Sequence, residues 1–232
     1  MTSASILNRE QLLGLDEGHL QADGQGRQLH AGCWDAFSLL RGDARDAGFD
    51  LEIASAFRGF ERQRMIWNGK ASGQRPVHDD RGQPLDVSSL DDRALVHAIL
   101  RFSALPGASR HHWGSDLDVY DAAAVAPDYP VQLTPAEVAD DGPFGPLHLW
   151  LDGRIQAGAA HGFYRPYATD RGGVAPERWH LSFAPLASNC MSQLSSDMLR
   201  AALADSGLLL LDVIEEQWEQ LYQRYISNCD PQ

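Results

Sequence analysis

The sequence has few cysteines, few basic residues and no long hydrophobic run, and each shortage excludes a class of protein. Its three cysteines, Cys33, Cys190 and Cys229, form no CxxC pair, so we expect reduced thiols and no cysteine-rich zinc site. Nineteen Lys and Arg stand against thirty-two Asp and Glu, for a formal net charge of −13. So acidic a chain repels phosphate backbones, which excludes nucleic acid as an expected partner. The run of four leucines at 208–211 is far too short to predict a membrane span.

Targeting and nucleotide-binding patterns are absent as well. The N-terminus, MTSASILNREQLLGL, has neither a basic start nor an apolar stretch long enough for a secretory signal. If this is the native start, we expect a cytoplasmic protein; a periplasmic or cell-wall-associated location is the alternative. No GxGxxG, P-loop or GxSxG pattern occurs, which argues against nucleotide binding and serine hydrolase chemistry. With 232 residues, no internal repeat and no linker-like stretch, a single domain over residues 1–232 is predicted.

The hydrophobic periodicity predicts helices interleaved with a few short strands. Helices are predicted over 33–47, 60–68, 90–104, 149–161 and 208–225, with a further helix start at Thr134, and strands over 51–56, 115–121 and 178–183. The polar stretch 70–88, broken by Gly and Pro, predicts a long loop over an active site. Because strands and helices do not alternate strictly, we predict an α+β fold with a small, mainly antiparallel sheet flanked by helices.

Two clusters carry the residues of a hydrolytic metal site. One is SRHHWGSDLD, from Ser109 to Asp118, and the other is PERWH, which ends at His180. A glycine turn followed by a strand can bring His111 and Asp118 to one point, and pairing of the two strands would add His180. A catalytic zinc needs three such ligands and a nearby carboxylate that is not a ligand, which Glu177 can supply. A His–Asp pair can also be a structural hydrogen bond, so either cluster alone leaves both interpretations open.

The clusters resemble the signatures of a known peptidase family. The first resembles SxHxxGxxxD and the second ExWH of the zinc metallopeptidase family that includes the VanY-type D-alanyl-D-alanine carboxypeptidases and the VanX-type D,D-dipeptidases. Upstream, Ser55 and Arg58 with Gln63 resemble the SxxR segment and following Gln of that family. The three motifs occur in the family's order across residues 52–183. We predict a metallopeptidase core over about 31–187. The amphipathic pattern of the C-terminal residues predicts a helical segment, 194–228, packed on that core.

The resemblance also implies roles for individual residues. His111, Asp118 and His180 would bind one Zn²⁺ ion, Glu177 would be the catalytic base and Arg58 would lie beside the scissile carbonyl. The expected substrate-binding residues are Ser109, Gln63, Asp116 and Trp179. Asp116 departs from the family pattern, in which many relatives have a small apolar residue; it would either support a ligand histidine or alter the pocket. His112 is expected at the pocket rim or in a structural role.

The function implied is hydrolysis of a peptide. The resemblance predicts a zinc-dependent D,D-carboxypeptidase that removes the terminal D-Ala of peptidoglycan-type peptides, so the expected partner is a stem peptide or D-Ala-D-Ala. Alternatives with the same fold are an L,D-carboxypeptidase, a D,D-dipeptidase and a murein endopeptidase. A zinc-binding module without catalysis is a further alternative, but Glu177 and Arg58 speak against it because neither is needed to hold zinc.

Overall fold

The computed structural model describes residues 6–231 and has ten α-helices and six strands within them. In chain order these are α1 (Arg9–Leu12), β1 (Leu20–Ala22), β2 (Gln28–His30), α2 (Ala31–Asp46), β3 (Leu51–Ser55), α3 (Phe60–Ala71), α4 (Asp92–Leu100), β4 (Asp116–Asp121), α5 (Pro135–Val138), α6 (Gly145–Gln156), β5 (Phe163–Tyr164), β6 (His180–Phe183), α7 (Ala184–Gln193), α8 (Ser196–Leu203), α9 (Leu211–Glu216) and α10 (Trp218–Leu221). The predicted α+β class is therefore confirmed.

The main sheet has four antiparallel strands in the order β3-β4-β6-β5. In the pairing of β4 with β6, Asp116 lies opposite Ser182 and Asp118 lies opposite His180. The register of β3 against β4 shifts between Ile53 and Ser55, where a bulge interrupts the ladder. The register of the two central strands thus places two polar pairs on one face of the sheet.

The other face of the sheet is apolar and packs on helices α2 and α6. Leu117, Val119 and Leu181 belong to one buried cluster with Leu40 of α2 and Leu147 of α6. The alternation predicted along 115–121 is present, but the polar face of β4 is buried too. On that face Asp118 lines a cavity, described below, and Asp116 is covered by Arg110.

A second cluster joins the remaining helices. It includes Trp67 of α3, Ile99 of α4 and Leu199 of α8, together with Ile214 and Trp218 from the C-terminal segment. The division into a core over about 31–187 and a segment over 194–228 stays a prediction. Of the predicted single domain 1–232, residues 1–5 and 232 lie outside the described part of the chain.

Several elements differ from the sequence predictions. The helix predicted over 149–161 runs from Gly145 to Gln156, with Pro146 in its first turn, and Gly158 in the left-handed region follows its end. The C-terminal helix predicted over 208–225 is divided into α9, α10 and a π-helical turn, Tyr222–Ile226. The hairpin of β1 and β2, strand β5 and helices α1, α7 and α8 were not predicted, since these elements are short. No helix in residues 6–231 is both long and apolar enough to cross a membrane.

We expect Gly114 to be essential for the fold around the first motif. Its φ is +67°, and an added Cβ would lie 2.4 Å from Leu20 Cδ2 and 2.8 Å from the backbone nitrogen of His30. Gly114→Ala should therefore lower the free energy of unfolding by about 2–4 kcal/mol, measured by denaturant titration. Gly153→Ala is the matched control, because a Cβ there meets nothing within 4 Å. On the exposed surface of α6 it should stabilise by about 0.5–1 kcal/mol. Equal effects of the two substitutions would contradict this account.

Candidate metal centre and active site

The first motif forms one tight turn before β4. Arg110–Trp113 is a single 3₁₀ turn, and Gly114 ends it in the left-handed conformation. The backbone oxygen of Gly114 accepts a hydrogen bond from the His30 nitrogen at 2.9 Å, which anchors the turn to β2. The chain then enters β4, so His111 and Asp118 approach each other from the turn and the strand.

The strand pairing completes a group of three side chains that can hold a metal ion. One potential ligand atom from each of His111, Asp118 and His180 lies within 4.8 Å of the other two, and all three residues are buried. His111 Nε2 is 3.5 Å from Asp118 Oδ2, and His180 Nδ1 is 3.2 Å from Asp118 Oδ1. Two imidazoles and one carboxylate are a donor set that suits a catalytic zinc ion.

The outer ring nitrogens of both histidines have acceptors behind them. His111 Nδ1 lies 2.9 Å from the Ala56 carbonyl oxygen, and His180 Nε2 lies 2.9 Å from Asp116 Oδ1. A carbonyl oxygen only accepts, so Nδ1 of His111 carries the proton and its Nε2 presents a lone pair towards Asp118. Such acceptors fix the tautomer and the ring orientation of metal-binding histidines.

The protonation of the group also fits a cation site. Burial lowers the pKa of His111 to about 4, so its ring is neutral. Burial opposes a charge on His180, but the carboxylates of Asp116 and Asp118 beside its ring raise its pKa to about 10. Asp118 Oδ1 is buried and has no hydrogen bond of normal geometry, although the His180 ring lies close. A divalent cation would replace the inner proton of His180 and complete the coordination of this oxygen.

A buried ion pair supports His180 on the same face of the sheet. Arg110 Nε donates to Asp116 Oδ1 at 2.8 Å, and Arg110 Nη2 donates to Ser182 Oγ at 2.6 Å and to the Tyr164 hydroxyl at 2.9 Å. Burial alone would raise the pKa of Asp116, but the Arg110 charge and the His180 ring hold it well below its usual range. Asp116 has no exposed surface and does not line the cavity, so it lies behind His180.

Glu177 lies beside the three metal-binding candidates without being one of them. Its Oε2 is 3.6 Å from His180 Nδ1. Glu177 lies just before β6, where its backbone nitrogen donates to the backbone carbonyl oxygen of Tyr167 at 3.0 Å. Burial raises the pKa of Glu177 to about 7, although the charges of His180 and Arg58 oppose the shift. A carboxyl group with a pKa near neutrality can both accept and return a proton.

The upstream motif forms a single unit around Arg58. Arg58 Nη1 donates to Gln63 Oε1 at 2.9 Å and Nη2 donates to Ser55 Oγ at 3.2 Å. Gln63 in turn donates to the Ala104 carbonyl oxygen at 2.7 Å. Gln63 is buried behind Arg58 and does not line the cavity, so its direct contact in this structure is with the guanidinium.

These groups open into one cavity of about 560 Å³. It is lined by Arg58, Ser109, His111, Asp118, Glu177, Trp179 and His180, among others. The predicted loop 70–88 contributes Pro76 to this lining, and the C-terminal turn contributes Tyr225 and Ile226. Of the four predicted substrate-binding residues, Ser109 and Trp179 therefore line the cavity, and Gln63 and Asp116 lie behind it.

Sequence reasoning missed the supporting residues Arg110 and Tyr167. The Tyr167 ring packs at 5.3 Å from the His180 ring, and no motif marks this position. Arg110 lies inside the first motif and pairs with Asp116, six residues later. The signal that could have found Arg110 is Asp116 itself, because a carboxylate on a strand in the core needs a cation beside it. His112 lies on a 3₁₀ turn rather than an extended chain; it is buried, with Nε2 accepting from the Gly107 nitrogen at 2.9 Å.

We expect Asp116 to contribute to metal affinity through His180. Asp116→Asn keeps the shape of the side chain but removes the charge that orients the His180 ring. The zinc affinity should fall roughly 10- to 100-fold, measured by competition with a chelator. Asp141→Asn removes an exposed carboxylate and should leave the affinity unchanged. Unaltered zinc affinity in a folded Asp116→Asn protein would rule out this positioning role.

Known proteins share this arrangement of sequence and fold. An uncharacterized protein of Haemophilus influenzae is 45% identical over 98 residues, which are 42% of this chain and 64% of that protein. A second uncharacterized protein of Haemophilus influenzae is 30% identical over 124 residues, 53% of this chain and 92% of that protein. The chain thus spans somewhat less than two thirds of the first relative and most of the second.

Two solved structures have the same fold at low sequence identity. The vancomycin resistance D,D-pentapeptidase VanY from a VanB-type cassette, in complex with Zn(II), is 20% identical with a TM-score of 0.50, and 71% of this chain and 78% of that one are covered. VanYB in complex with D-alanine-D-alanine is 20% identical with a TM-score of 0.51, and the coverage is 81% and 88%. The family model of the VanY D-alanyl-D-alanine carboxypeptidases matches residues 26–186. Because this match spans well over half of the sequence and contains the whole metal centre, the chain belongs to the VanY family of zinc peptidases.

Proposed function

We propose that this protein is a zinc-dependent D,D-carboxypeptidase that removes the terminal D-alanine from peptidoglycan-type peptides. The observation that carries the proposal is the position of Glu177, which lies beside the three metal-binding side chains and has a pKa of about 7. A structural zinc site needs no such group. The family match and the D-Ala-D-Ala complex of VanYB support the substrate class.

His111, Asp118 and His180 would hold the zinc ion. A zinc ion in such a site supplies a Lewis acid that polarises a carbonyl and lowers the pKa of water to about 7. Glu177 takes a proton from the attacking water and passes it to the departing amine, as its pKa near neutrality allows. Cytoplasmic action on soluble muropeptides stays a prediction.

Arg58 is proposed to stabilise the oxygen that gains negative charge during attack. It lines the cavity, and its guanidinium is fixed by Gln63 and Ser55 rather than mobile in solvent. Held N–H donors that are oriented before the reaction lose little free energy to reorganisation, which makes them effective for an oxyanion. Ser109 and Trp179 line the same cavity and would contact the peptide.

Glu177→Gln should separate metal binding from catalysis. The amide cannot take the proton from water, so kcat for alanine release should fall by at least about 1,000-fold. The zinc content should remain that of the wild type, because Glu177 is not one of the three proposed ligands. Glu61→Gln, an exposed site on α3, is the control and should leave both unchanged. Near-normal turnover by Glu177→Gln would refute the assigned base.

A panel of peptides tests the substrate assignment. The D,D-carboxypeptidase should release alanine from a stem pentapeptide, with slower or no release from the tetrapeptide and from free D-Ala-D-Ala. Release from the tetrapeptide alone would assign an L,D-carboxypeptidase, and release from the dipeptide alone a dipeptidase. Mass spectrometry of the products would detect an internal cut by a murein endopeptidase. Failure to cleave any of these peptides with zinc bound would favour a non-catalytic module.

A further inference from the structure

Lys70 is the only lysine in the chain. The other eighteen of the nineteen Lys and Arg residues are arginines. Lys70 lies in the last turn of α3, and its side chain lines the same cavity as Glu177 and His180. The one lysine of the protein is therefore in the cavity of the proposed active site.

The Lys70 ammonium has a hydroxyl partner but no close counter-ion. Its Nζ donates to Ser103 Oγ at 2.7 Å, and Ser103 also lines the cavity. Among the described residues 6–231, no ion pair with Lys70 is formed, and the charge of Glu177 acts on it at longer range. Burial lowers the pKa of Lys70 to about 8, which reflects the cost of a cation kept from water. An anion that entered the cavity would remove this cost.

The two arginines of the cavity are occupied by other partners. Arg110 is paired with Asp116, and the terminal nitrogens of Arg58 donate to Gln63 and Ser55 next to the metal-binding group. Of the three Lys and Arg side chains that line the cavity, Arg58 and Lys70 have only neutral hydrogen-bond partners, and Arg58 is proposed above to stabilise the oxyanion. Lys70 with Ser103 is therefore the part of the lining best suited to a new carboxylate.

We propose that Lys70 and Ser103 form the subsite for the free C-terminal carboxylate of the peptide. This inference rests on the proposed peptidase function. In a carboxypeptidase the carboxylate lies one residue beyond the scissile bond, a spacing of about 3.8 Å between successive Cα atoms. Lys70 and Glu177 line one cavity, so a peptide whose scissile bond lies at Glu177 can extend its carboxylate towards Lys70. The ammonium is a point charge with three donors, so it selects for a chain end rather than for the configuration of the last residue.

This subsite would separate two kinds of specificity. Lys70 would make the enzyme act at a chain end, because an internal peptide bond has no carboxylate to offer. The choice between D,D and L,D bonds would depend on other lining residues such as Trp179. Lys70 could alternatively be a structural tether between α3 and Ser103, and this alternative gives a different experimental result.

The kinetic test compares a stem pentapeptide with the same peptide carrying a C-terminal amide. The wild type should prefer the free acid by roughly 10- to 100-fold in kcat/KM, as expected for one charge-assisted hydrogen bond. Lys70→Gln should raise KM for the acid by a similar factor, leave cleavage of the amide unchanged and so abolish the preference. Arg62→Gln removes an exposed charge from the same helix and should keep the wild-type preference.

The outcomes separate the two proposals. If the wild type cleaves neither peptide, the proposed function fails. If it cleaves the acid but Lys70→Gln loses acid and amide cleavage equally, or keeps the preference, Lys70 is not the carboxylate subsite. A melting curve of Lys70→Gln shows whether the variant is folded.

A second measurement uses the wild-type protein and does not depend on turnover. Because Lys70 is the only lysine, incorporation of lysine labelled with ¹⁵N at Nζ gives one side-chain ammonium signal in the NMR spectrum. Acetyl-D-alanine should shift this signal in the zinc-loaded protein, and acetyl-D-alaninamide should not. A signal that stays in place while acetyl-D-alanine inhibits cleavage would overturn the proposed subsite.

Discussion

The pairing of β4 with β6 is the constraint on which the site depends. The antiparallel register sets Asp118 opposite His180 and Asp116 opposite Ser182, so every polar group of the metal centre on the sheet faces one side. A shift of one residue would turn Asp118 into the apolar cluster and expose Leu117 to the cavity. The packing of Leu117, Val119 and Leu181 against the helices therefore specifies the register as well as the core.

The buried charge of Asp116 is stable because it has close partners. Arg110 compensates Asp116, and Asp116 accepts from His180. Removing one member of such a set leaves an uncompensated charge in a medium where solvation is poor. The hydrogen-bonded series of Arg110, Asp116 and His180 thus fixes the orientation of the His180 ring, one of the three side chains that can hold a metal ion. The same shielding from water raises the pKa of Glu177, so the raised pKa and the strength of the ion pair behind His180 have a common physical origin.

The sequence predicted the fold class and the local strands that carry the site. The alternation along 115–121 and the glycine at 114 are local sequence patterns, and the structure has the strand and the turn that they predict. Such patterns are reliable where one face of a strand packs on the core. The sequence could not show that Gln63 and Asp116 lie behind the cavity, because that depends on which side chains intervene between distant segments. Nor could periodicity locate the breaks at Gln217 and Leu210 in the C-terminal helices, where Leu210 adopts a φ of +62°. Contacts between distant segments determine both the positions of Gln63 and Asp116 and the breaks in the C-terminal helices.

The C-terminal turn, Tyr222–Ile226, closes one wall of a cavity whose polar groups lie much earlier in the sequence. Tyr225 and Ile226 line the cavity, whereas the three side chains that can hold a metal ion all lie at or before His180. The last turn of the described chain therefore shields those buried groups from bulk water, and local opening of this turn would admit solvent to them without breaking the pairing of β4 with β6.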